Sequence, residues 1–80
     1  MIDKYGKMLV YLAEINYGEE NGGYYTLSVH DTYEGAREAL KANGFRPSCV
    51  FTSDGELYAC HGKTADEYPV GHINTRLVRP

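Results

Sequence analysis

Eighty residues are enough for one domain and one small core. A composition 42% hydrophobic and 24% charged is that of a globular chain, not a disordered one. A formal charge of −3 gives no broad basic field to draw nucleic acid or anionic lipid. The start, Met1 to Lys7, has no apolar targeting core, and the longest apolar run, Met8 to Ala13, is too short to span a bilayer. The expectation is a single α+β domain over residues 1–80, placed in the cytoplasm, with no membrane and no direct nucleic-acid contact.

Residues 8–17 predict the first strand. Leu9, Tyr11, Ala13, Ile15 and Tyr17 share one face, and Met8, Val10 and Leu12 the other. Apolar residues on both faces predict a central strand. A polar, glycine-rich loop over 18–23 leads to a second strand over 24–30, with Tyr25, Leu27 and Val29 alternating against Tyr24, Thr26, Ser28 and His30. The two form an antiparallel hairpin.

A helix is predicted from Thr32 to Asn43. Asp31 with Glu34 makes a capping box, and Thr32 is the alternative cap. Tyr33, Ala36, Ala39 and Leu40 form its apolar stripe. Gly44 suits the left-handed residue after the helix, with Phe45 folding back onto Leu40.

Residues 48–61 read as a second hairpin turning at Asp54-Gly55, a strong two-residue turn signal. That register pairs Ser53 with Glu56, Thr52 with Leu57, Phe51 with Tyr58 and Val50 with Ala59, and sets Cys49 opposite Cys60. From Gly62 to Gly71 the chain is irregular, although Thr64 to Glu67 matches a capping box and suits one helical turn. His72 to Arg79 closes the order as a strand with Ile73, Thr75 and Leu77 on one face. The layout is β-β-α-β-β-β: an antiparallel sheet of four to five strands with one helix against it.

The chemical motifs are few. Cys49 and Cys60 have either of two roles, small buried hydrophobes or a redox pair. A zinc site would need further convergent ligands, and His61 follows Cys60 directly, so in a strand the two point apart. The same geometry argues against a Cys–His catalytic pair. The carboxylate pairs Glu19–Glu20 and Asp66–Glu67 read as solvated loop charges, and the glycines of 18–23 lack the spacing and the lysine of a phosphate cradle. The expectation is a non-catalytic chain with no cofactor and no metal.

The informative segment is 17–25, which sets Glu19 and Glu20 among Tyr17, Tyr24 and Tyr25. Tyrosine is enriched where binding energy concentrates, and acidic rims steer toward basic partners. Those five residues are the expected partner-binding group.

Residues 10–17 followed by 32–45, with T-x-E-x-A-x-x-A-L from Thr32 to Leu40, resemble short accessory domains of bacteria and phages. Those open with a tyrosine-bearing hairpin and continue into such a helix. A small acidic chain of this kind also resembles, in type and not by motif, phage-encoded inhibitors of host defence such as anti-CRISPR proteins. The resemblance implies a partner that is a larger basic protein or protein–nucleic-acid complex in the host cytoplasm. The alternative is a small regulatory or assembly protein working as a homodimer through sheet edges or tyrosine faces.

Overall fold

In the computed structural model, which describes residues 8–18 and 23–78, the chain runs β1 (Met8–Asn16), β2 (Tyr25–His30), α1 (Tyr33–Ala42), β3 (Phe45–Thr52), β4 (Gly55–Cys60) and β5 (Val70–Val78). All five strands join one antiparallel sheet in the order β2-β1-β5-β4-β3. The predicted element order holds, and β1 is interior as its two apolar faces imply. The last strand enters between the two hairpins, pairing along its length with β1 and at Gly71 and Val70 with Tyr58 and Ala59 of β4.

The helix lies on one face of the sheet. Ala36 and Leu40 are buried, and with Ala13, Ile15, Phe45, Tyr58 and Ile73 they form the core. Ala39 and Tyr11 pack at its margin. Tyr33 is more exposed than its place in the stripe predicts, but its ring meets Tyr11 edge to face at 6.0 Å. Thr32, not Asp31, is the N-cap: its Oγ1 accepts from the Gly35 amide at 3.0 Å. At the other end Gly44 has φ +88°, and its amide and that of Asn43 bond to the carbonyls of Lys41 and Leu40. Phe45 is then buried beside Leu40, as the end signal predicts.

β2 departs from simple alternation. Ala13 pairs with Ser28 and Glu14 with Thr26, which leaves Leu27 as an extra residue. Such a bulge reverses which side the following residues face. Tyr25 therefore sits opposite Ile15 and Val29 opposite Leu12, so the predicted common face of Tyr25, Leu27 and Val29 does not form. All three are exposed.

The second hairpin turns one residue earlier than predicted. Thr52 pairs with Gly55, and Phe51 with Glu56. The Thr52 hydroxyl holds this turn, accepting from the Asp54 amide at 3.1 Å and donating to the Gly55 carbonyl at 3.3 Å. Beyond it the register shifts again: Pro47 pairs with Tyr58, Arg46 with Ala59 and Phe45 with Cys60. Residues 48–50 bulge opposite Leu57, with Cys49 at φ +64°. The bulge is tied by Ser48 Oγ donating to the Leu57 carbonyl at 2.6 Å and by Glu56 Oε2 accepting from the Cys49 amide at 2.9 Å. Cys49 is therefore not opposite Cys60. It is exposed, Cys60 is half-buried at the core margin, and neither is in a disulfide.

Residues 64–67 form a turn and not a helical turn. Only one of the two capping-box hydrogen bonds forms: Glu67 Oε1 accepts from the Thr64 amide at 3.4 Å, while the Thr64 hydroxyl donates to the same carboxylate at 3.3 Å and the Glu67 amide donates to the Thr64 carbonyl at 3.1 Å.

Candidate functional site

The predicted binding group divides. Asn16 ends β1, and its Oδ1 accepts from the Gly18 amide at 2.8 Å, which starts the turn away from the sheet. Gly18 has φ +79°, and a Cβ there would come within 2.6 Å of the Tyr68 ring. Only glycine satisfies both demands. Glu19 and Glu20 lie outside the described residues. When the chain returns, Tyr24 and Tyr25 project to opposite sides, as neighbours at a strand entrance do.

Tyr25 meets Tyr17 with ring centroids 6.3 Å apart, inclined at 50°. Tyr17 is 55% exposed and Tyr25 50%. They form an outward aromatic pair at the end of edge strand β2.

Tyr24 turns inward. Its ring stacks on the His72 imidazole at 3.6 Å with planes 6° apart. Beneath it His72 Nε2 and Glu14 Oε1 are 2.6 Å apart, both side chains being almost wholly buried. Thr26 Oγ1 donates to the other carboxylate oxygen at 3.4 Å. Burial, and then the nearby Tyr68, Asp54 and Glu14, raise the Tyr24 pKa above the usual phenol value. This assembly lies on the face away from α1, where Leu12, Ala59 and Val70 are also buried.

The sequence reading passed over Glu14 and gave His72 no role. The signal was present: a carboxylate in a strand predicted to be central needs a buried partner. β5 supplies it, because Glu14 and His72 are paired positions in the ladder. The dyad can hold a proton between two groups, but Tyr24 caps it. The solvent-facing part of the site is Tyr17 with Tyr25.

The other sequence candidates stay apart. His61 is exposed and Cys60 half-buried, on successive residues of a strand end. Asp66 and Glu67 are exposed in the 64–67 turn. Among the described residues no three of His, Cys, Asp and Glu gather as metal ligands, and no helix is long and apolar enough to cross a membrane.

No protein-family model matches the chain, and comparison with curated proteins and with solved structures likewise returns no match.

Proposed function

We propose that the chain is a non-catalytic protein-binding module whose contact surface is the Tyr17–Tyr25 pair at the end of β2. The observation that supports this reading is two adjacent tyrosine rings, half-exposed, held side by side on a sheet edge. Rigid aromatic side chains give large contact area for little lost rotamer entropy. Glu19 and Glu20, which follow Tyr17 closely in sequence, and the net charge of −3 favour a basic partner surface. Occupying such a surface on a larger host complex, as anti-defence inhibitors do, is the narrower form of this reading and rests on charge and likeness of type.

A partner captured by affinity purification gives the test. Tyr17→Ser and Tyr25→Ser should each speed dissociation, and Glu19→Lys with Glu20→Lys should slow association and flatten its salt dependence. A partner whose kinetics ignore all four changes would sink the proposal.

A second reading, homodimerisation, is favoured by β2 itself. It is an edge strand, and Leu27 and Val29 are exposed along it. Light scattering across a concentration series separates the two readings, since Val29→Lys disrupts a dimer through β2 and leaves a monomer unchanged.

A further inference from the structure

The opposite edge of the sheet carries charge of the other sign. Arg37 and Lys41 stand one turn apart on α1, Arg46 follows at the start of β3, and His61 follows β4. With Gly44, Phe45 and Pro47 they line a cavity of about 610 Å³. No carboxylate is among its lining residues. Arg46 and His61 also line an adjoining cavity of about 340 Å³, where Lys63 is offset by Asp66 and donates to the Tyr68 carbonyl at 3.1 Å. Three of the chain's eight lysines and arginines, at 37, 41 and 46, thus line one cavity on a molecule of net charge −3.

The cavity is held by backbone as well as by side chains. The His61 amide donates to the Gly44 carbonyl at 2.9 Å, which ties the end of β4 to the end of α1. Arg37 Nε is buried and has no hydrogen-bond partner among the described residues. Buried donors in folded proteins are nearly always paired, so this one is short of an acceptor. Among the described residues the ion pair that engages these cations is Lys41 with Glu38, at 3.8 Å and exposed, which is a weak competitor.

The C-terminal end of α1 opposes an anion here. Its effect is small: a helix end carries roughly −0.5 charge, against the full positive charges of Arg37, Lys41 and Arg46. Its last carbonyls are also occupied, that of Ala39 by the Asn43 side chain and those of Leu40 and Lys41 by backbone amides.

We propose that this cavity binds a small phosphate monoester with an apolar or aromatic organic part. Three permanent cations and a histidine suit a dianion better than a single carboxylate. Guanidinium forks match phosphate oxygens two at a time. Phe45 and Pro47 offer an apolar wall for the organic part, and the volume falls within the range of small-molecule pockets. The site is separate from the tyrosine pair and stands whatever that pair binds.

The test is a titration with phenyl phosphate followed by amide chemical shifts in the full chain. Shifts should concentrate at residues 37–47 and 61. Phenyl phosphate should bind about tenfold more tightly than inorganic phosphate, and phenol should leave the spectrum unchanged. Arg37→Gln and Arg46→Gln should each weaken binding about tenfold. If Arg37→Gln does not fold, Lys41→Gln, at an exposed position, takes its place. A phosphotyrosine peptide should bind no more tightly than phenyl phosphate. Tenfold tighter peptide binding would overturn the small-molecule assignment. Shifts that sulfate reproduces at equal ionic strength, or folded variants that keep full affinity, would overturn the site itself.

Discussion

Glu14 and His72 occupy paired positions on β1 and β5, and their side chains meet at 2.6 Å under the stacked ring of Tyr24. A buried pair of this kind is worth little against a well-packed apolar pair but is damaging to break. Glu14→Leu should therefore destabilise by about 1.5–3 kcal/mol, because it leaves His72 buried without its partner. Adding His72→Leu should recover much of that loss. Urea unfolding of both single variants and the double variant measures it. A double variant whose loss equals the sum of the two singles would show that the pair is uncoupled.

Leu40 is fully buried beneath the helix, and its Cδ2 would lie 3.0 Å from a Cβ added at Gly71. Leu40→Ala should cost about 2–5 kcal/mol. Gly71→Ala should cost about 1–3 kcal/mol through overpacking against that methyl and the Glu14 carbonyl, 3.4 Å away. The two should be less than additive, since removing the Leu40 branch makes room for the new methyl. Simple additivity in denaturation midpoints would place the Gly71 effect elsewhere.

The cysteines should behave differently from one another. Cys49 is exposed and Cys60 half-buried, so a thiol reagent under native conditions should label Cys49 first. Cys49 also holds a positive φ of 64°, a conformation that costs a side-chain-bearing residue about 1–2 kcal/mol. Cys49→Gly relieves this but gives the unfolded chain more freedom, so the net gain should be about 0.5–1 kcal/mol. Equal labelling rates, or a Cys49→Gly variant that melts lower than the parent, would count against this description of the bulge.

Tyr58 is buried in the core beside Tyr33, and its hydroxyl makes no aligned hydrogen bond among the described residues. Burial first, and the Tyr33 hydroxyl second, hold its pKa far above the ordinary phenol value of about 10. The folded state therefore keeps this proton at a pH where the unfolded chain has lost it. Its contribution to stability is full below about pH 10 and falls as pH rises from there toward the folded pKa. Tyr58→Phe should be neutral to mildly stabilising at pH 7, and it should unfold less readily than the parent above about pH 10. Parallel loss of stability in the two proteins across that range would refute the assignment.

The helix and its ends were legible because their signals are local. Thr32, Gly44 and Phe45 act within a few residues of where they stand. Thr32 displaced Asp31 as cap only because its own hydroxyl reaches the Gly35 amide. The second hairpin was misread for a related reason. Asp54-Gly55 marks a turn, but the Thr52 hydroxyl and the Ser48–Val50 bulge decide which residues pair, and neither competes in a pattern of alternating hydrophobics. The Leu27 bulge hid in the same way. At the candidate site, adjacency in sequence put Tyr24 with Tyr17 and Tyr25. The ring instead follows His72, which is 48 residues away and is brought near only by the β1–β5 ladder.

The place of β5 bears on how the protein reaches this structure. The hairpins β1–β2 and β3–β4 can each close locally, but in the strand order they are joined only through β5. Until it inserts, β1 and β4 each present an open edge, and the Leu40 pocket lacks Ile73 and Gly71. The barrier to folding should therefore be dominated by long loop closure, which places the chain among slower millisecond-to-second folders. A chain cut before Val70 would retain both hairpins with two exposed interior edges, each a template for pairing with another molecule. Such a fragment should associate in solution instead of forming half of the sheet.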